Sequence, residues 1–140
     1  MNKKSGLTMV SIVIYVVIFF ALAMIISGVT MVMDSNSLKD KGIIFCEEQL
    51  NKLQYNLVVS NENSKGDITK IENKLVFGNN DMYEYDSSTK TIYKNGGILI
   101  QNVEEFSIQN DVNNENYYKI VCGVKKYNQG KYGTTYLYIE

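Results

Sequence analysis

The sequence predicts an α+β protein: one long N-terminal helix, apolar in its first half and amphipathic in its second, packed on an antiparallel β-meander. Three observations carry that reading. Leu7 to Met33 is apolar and uncharged. Apolar residues then recur at helical spacing through Leu57. From Asp67 onward the period becomes alternating, with turn residues breaking the chain into short runs.

The apolar run comes first. At ~1.5 Å rise per residue it would form a helix roughly 40 Å long. That exceeds the ~30 Å hydrocarbon core of a bilayer, which ~20 apolar residues cross. Lys3 and Lys4 precede the run and Asp34 follows it. The positive-inside rule then keeps the N-terminus cytoplasmic and exports the long C-terminal part, giving a single-pass membrane protein. A cleaved secretory signal would have an apolar core of only ~7–15 residues followed by a small-residue site. TMVMDSNS, at the end of this run, offers no such site. A plain signal anchor remains a second reading.

Composition narrows the chemistry. The 140-residue chain leaves about a hundred residues beyond the apolar run, enough for one small domain. A net charge of −1 makes no electrostatic case for nucleic acid or anionic lipid. His and Arg are both missing, which removes the commonest general base, metal ligand and phosphate clamp.

The junction KKSG-LTMV refines the reading of the helix. It resembles the leader of type IV prepilins and of the pseudopilins of secretion and competence systems. In that family a short basic leader ends in Gly, and a large apolar residue, Thr, two apolar residues and usually Glu follow. Lys3, Lys4, Gly6, Leu7, Thr8, Met9 and Val10 match the pattern. The resemblance implies a leader over 1–6, cleavage between Gly6 and Leu7 by a prepilin peptidase, and a helix over 7–33 that stays on the mature chain. Ser11 departs from the family by standing where Glu is usual. That Glu is thought to pair with the N-terminal amine of a neighbouring subunit, and a subunit without it cannot make the pairing. The departure fits a subunit that initiates or caps a filament, or simple drift of the motif. Within the helix, Ala23, Ser27 and Gly28 are small residues of the kind that let helices approach in lipid.

Asp34 to Gly42 is polar, but no Pro breaks it. Ile43, Cys46, Leu50, Leu53 and Leu57 then make one apolar stripe, with Glu47, Glu48, Asn51 and Lys52 facing away. The sequence therefore predicts an amphipathic continuation of the helix over 34–60, softened near Gly28 or Gly42, with NENSKGD ending it.

The head occupies 67–140. LVF (75–77), MYEYD (82–86), TIYK (91–94), ILIQN, VEEFSIQ (103–109), YYKIVCGVKKY (117–127) and TTYLYIE read as strands. Asn95-Gly96 between apolar runs is a strong hairpin signal. NQGKYG reads as the loop before the last strand. Phe77, Ile92, Phe106, Ile108, Ile120, Cys122, Leu137 and Ile139 fall on the face expected to meet the helix stripe. The opposite face is rich in Tyr, Lys and Asn. In strand order the head is similar to the J-type and W-type minor pseudopilins and to the competence pseudopilins of Gram-positive bacteria. Val103, Phe106 and Ile108 fill the spacing of one of their strands, and Asn102 replaces its Gly.

Candidate chemistry is sparse. Cys46 and Cys122, in an exported chain, permit a disulfide from helix to sheet, or are two buried small hydrophobes. Asp81, Asp86 and Asp111 fall in expected turns without the spacing of a calcium loop. No nucleophile, phosphate-loop or metal-ligand motif is present, so neither an enzyme nor a cofactor or metal site is expected. The eleven Tyr fit strand propensity better than stacking on nucleic acid. The resemblance implies a minor pilin or pseudopilin that moves from the membrane to the cell surface. Its expected partners are the prepilin peptidase, other pilins through helix bundling, the inner-membrane assembly platform and, before assembly, the lipid bilayer. A competence pseudopilin for DNA uptake and an anchored surface domain that never polymerises are the alternatives.

Overall fold

The computed structural model describes residues 3–111 and 114–140, with side chains from residue 9 onward. One helix, α1 (Lys3–Ser64), is followed by eight strands: β1 (Ile68–Ile71), β2 (Lys74–Phe77), β3 (Met82–Asp86), β4 (Thr91–Lys94), β5 (Gly97–Gln101), β6 (Val103–Asn110), β7 (Tyr117–Lys126) and β8 (Gln129–Tyr138). The α+β architecture expected from the sequence is present. The chain divides into two units, Met1–Leu38 and Lys39–Glu140, and the division falls within α1.

The polar stretch Asp34–Gly42 is helical, and α1 runs a turn past the expected end at 60. Without proline, nothing removes the i→i−4 hydrogen bonds, and Asn, Ser, Asp and Lys only weaken a helix by fractions of a kcal/mol each. Gly42 is not a soft point. It is buried, and a Cβ there would stand 2.8 Å from the Lys126 carbonyl oxygen and 3.2 Å from Gln129 Cβ. Glycine is needed because helix and hairpin backbone approach closely at this point.

The head differs from the single meander the sequence predicts. β1 to β5 form one antiparallel sheet in chain order, and β6 to β8 form a second. The break takes one residue. Asn102, between β5 and β6, sits at φ 61°, a left-handed conformation that Asn tolerates better than most side chains. It turns the chain so that Val103 N–H donates to the Lys90 carbonyl (2.9 Å) while the Asn102 carbonyl accepts from Lys125 N–H (3.0 Å). This explains an Asn at the position where the resembled strand has Gly.

The second correction lies in the β7–β8 hairpin. NQGKYG is not a loop, because Lys126 pairs with Gln129 and β8 already begins there. Tyr127 and Asn128 alone form the turn, both at positive φ (50° and 60°), as a primed two-residue hairpin requires. Asn95 and Gly96 turn β4 into β5 in the same way, at φ 52° and 80°.

One hydrophobic core joins the elements of the Lys39–Glu140 unit. From α1 it takes Cys46, Leu53 and Leu57, with Phe45 and Leu50 at its margin. From the first sheet come Leu75, Phe77, Tyr83, Ile92 and Ile100, and from the second Val103, Ile108, Ile120, Cys122, Val124 and Leu137. Of the residues expected on the inner face, Phe77, Ile92, Ile108, Ile120, Cys122 and Leu137 are buried, while Phe106 and Ile139 are half-buried. The two sheets meet through the Tyr85–Phe106 ring pair, 5.6 Å between centroids, and through Lys70 Nζ, which donates to the Ile108 carbonyl at 2.6 Å.

Candidate functional site

The apolar part of α1 is the candidate site, and its unit is described by itself. Between Met9 and Met33 every residue except Ala23 is exposed. Met9 is 73% exposed, Phe19 68% and Met31 78%. At ~25 cal/mol per Å² of apolar surface, leaving such side chains in water costs about 1.5–3 kcal/mol each. An apolar surface of this extent is compatible with a non-aqueous environment. Among the described residues α1 is the one helix long and apolar enough to cross a membrane. Two of its hydroxyls are satisfied within the helix. Ser27 Oγ donates to the Ala23 carbonyl (2.8 Å) and Thr30 Oγ1 to the Ile26 carbonyl (2.9 Å), so neither needs an outside partner. Gly28 has open space around it, so its helix backbone is accessible there.

The backbone of Lys3, Lys4, Gly6, Leu7 and Thr8 is helical, and their side chains lie outside the described residues. Ser11 stands on the exposed helix surface.

Of the two readings of the cysteines, the structure has the buried small hydrophobes and no disulfide. Cys46 and Cys122 are both buried free cysteines. The physical reason is level along the β7–β8 hairpin. Cys46 Sγ donates to the Gln129 carbonyl at 3.5 Å, beside the turn. Cys122 pairs with Gly133, four residues further along β8, or ~13 Å of strand. The helix residue reaching Gly133 is Leu50, a full turn after Cys46. Burial alone pushes the Cys122 thiol up to about 12, so it stays protonated and unreactive.

Sequence reasoning missed a polar cluster inside the head. Ser60 continues the apolar stripe of α1 and is fully buried. Its hydroxyl donates to Asp81 Oδ2 at 2.6 Å and lies 2.7 Å from the Tyr83 hydroxyl, which donates to the Asn56 carbonyl at 2.9 Å. Asp81 also accepts from Asn95 Nδ2 (2.9 Å) and Asn79 Nδ2 (3.1 Å), and pairs with Lys94 Nζ at 3.3 Å. These donors, the Ser60 hydroxyl foremost, hold the Asp81 carboxyl at about 2 against the opposing effect of burial. Burial also works against the Lys94 ammonium, but Tyr83 and Asp81 more than offset it and the net shift is upward. The cluster locks α1 to β3 and β4. A signal existed: a serine on the next position of an apolar stripe needs a buried polar partner.

Asp86, expected in a turn, is the last residue of β3, and its carboxylate is held by Ser88 and Thr89. Among the described residues no three His, Cys, Asp or Glu side chains gather into a metal-binding group. Tyr83, fully buried, is an exception to the solvent-facing tyrosines, whereas Tyr132, Tyr136 and Tyr138 line the exposed side of β8.

A long N-terminal apolar helix carrying an antiparallel β-sheet head is a pilin-like architecture, compatible with a membrane-anchored protein. Comparison with protein-family models, curated proteins and solved structures finds no match to this chain.

Proposed function

We propose that this chain is a minor type IV pilin or pseudopilin, a structural subunit without catalytic chemistry. The observation that carries the reading is the helix from Met9 to Met33, apolar on every side and exposed, in a chain whose head fills its own core. Before assembly the helix spans the membrane once, with the N-terminus in the cytoplasm and the head outside. A prepilin peptidase cuts between Gly6 and Leu7, leaving the helix on the mature chain. On an assembly platform the helix moves from lipid into a bundle of other pilin helices, exchanging one apolar environment for another. Small residues Ala23, Ser27 and Gly28 favour close helix packing there. Ser11 brings no carboxylate to the position that pairs with a neighbour's amine, which suits a subunit that initiates or caps the filament.

Mass spectrometry of the chain isolated from cells with active prepilin peptidase tests this reading. A mature N-terminus at Leu7, with or without N-methylation, is expected. A chain that still begins at Met1 would overturn it and favour a signal-anchored surface domain.

A further inference from the structure

Strand β8 closes the second sheet on one side, and among the described residues no strand lies beyond it. It pairs with β7 over ten successive residues without a register shift. Natural edge strands are normally short, charged, kinked by a bulge or capped. β8 carries one charge, Lys131, which is already paired with Glu47. The other sheet edges are short or occupied: β1 has four residues, β5 has five with Gln49 Oε1 accepting from Gln101 N–H, and β6 gives its Ile108 carbonyl to Lys70.

The direction of the main-chain groups follows from neighbouring bonds. Ile139 N–H donates back toward the β7 side, to the Asn116 carbonyl, whereas Glu140 N–H donates outward to the Gly66 carbonyl. With its amide turned to satisfy both partners, Asn61 donates to the Tyr138 carbonyl (3.1 Å) and accepts from Tyr138 N–H (3.2 Å). Even-numbered residues of β8 therefore aim their N–H and C=O groups away from the sheet. Asn61 caps Tyr138, and the remaining outward residues, Gly130, Tyr132, Thr134 and Tyr136, are all exposed.

We propose that this edge is a docking site for one extended segment of another polypeptide, added antiparallel to β8 and bonded main chain to main chain. Seven residues from Gly130 to Tyr136 offer four outward positions, enough for about eight hydrogen bonds. Tyr136 is exposed on this strand, while the Tyr132 ring lies back over Gly123 of β7 and leaves the edge clear. The occupant carries no required charge, because the β8 edge presents none that is unpaired. A second copy of this chain does not fit. α1 lies along β8, with Gly42 against Gln129, Leu50 against Gly133 and Asn61 on Tyr138. Pairing two β8 strands ~4.8 Å apart would force two such helices closer than the ~8–10 Å that helices need. The partner is thus a strand with no helix above it. The inference stands independently of the membrane reading.

The test uses the full chain in detergent micelles and a synthetic peptide of sequence QGKYGTTYLY, which matches β8 and has no helix above it. Antiparallel pairing sets its residues equivalent to Gly130 and Tyr136 against Tyr136 and Gly130 of the chain. One peptide is N-methylated at the positions equivalent to odd-numbered residues, leaving the bonding edge intact. The other is N-methylated at the even-numbered ones. Hydrogen exchange is read at the chain's Gly130, Tyr132, Thr134 and Tyr136 amides. The first peptide is expected to slow all four by about tenfold or more, and the second to leave them unchanged. A Thr134→Pro chain, which loses an outward N–H and no ladder bond to β7, is expected to lose binding. Equal protection by both peptides, no protection by either, or protection of these amides in the chain alone would overturn the proposal.

Discussion

The two halves of α1 are made of the same kinds of residue and meet opposite conditions. Between Met9 and Met33 isoleucines, valines, methionines and phenylalanines point in every direction and are exposed. Between Cys46 and Ser60 one apolar stripe, Cys46, Leu53 and Leu57 with Leu50 at its margin, is buried in the head's own core, while Tyr55 off the stripe is exposed. The difference teaches that apolarity alone does not define a core helix. A stripe finds its partner within the chain, whereas an all-round apolar surface needs a partner outside it, lipid or other helices.

The same substitution in each half breaks the comparison most sharply. Leu57→Ala removes a fully buried side chain and is expected to cost the head about 2–5 kcal/mol. Leu22→Ala, on an exposed side chain, is expected to leave head stability within about 0.5 kcal/mol. Chemical denaturation followed on the tyrosine signal of the head distinguishes the two. Ile18→Lys reverses the emphasis: a lysine at mid-helix costs membrane insertion about 3 kcal/mol, read as loss of the chain from the membrane fraction.

A smaller effect concerns the lock between α1 and the first sheet. Asp81 has its carboxyl held at about 2, against an ordinary value of 3.8. A depressed carboxylate pKa stabilises the fold above the unfolded value and loses that contribution as pH falls through the folded one. Head stability is therefore expected to drop by about 2 kcal/mol between pH 4 and pH 2. Asp81→Asn should lose a similar amount at pH 7 and flatten that acid limb in urea titrations. Weaker still, Gly96→Ala at φ 80° should cost about 1 kcal/mol by straining the β4–β5 turn. Cys122 should resist alkylation at pH 8 until the head unfolds, because its thiol is raised to about 12.

Local patterns were the legible part of this sequence. The Cys46–Leu57 stripe, the Asn95-Gly96 hairpin and the β3 and β4 runs each depend on spacing within a few residues. Where sequence reading failed, the deciding contact was distant or a single backbone angle. One left-handed residue, Asn102, splits one meander into two sheets. Tyr127 looked like strand and NQGKYG like loop, yet Tyr127-Asn128 makes a two-residue turn with β8 starting at Gln129. Gly42 looked like a flexible point and is a packing contact with a hairpin more than eighty residues away in the chain. The Ser60–Asp81–Lys94 cluster joins three segments that nothing in the local sequence connects. The expected cleavage junction at Gly6 and Leu7 rests on resemblance alone, since it carries no periodicity of its own.

The central claim is that the exposed apolar helix exchanges lipid for other helices in a filament. A photo-crosslinking residue placed at Ile18 in living cells tests it most directly. The account predicts crosslinks to the apolar helices of other pilin-like subunits, recovered in surface filaments sheared from the cells. Crosslinks to lipid alone, with the chain absent from the sheared material, would contradict it.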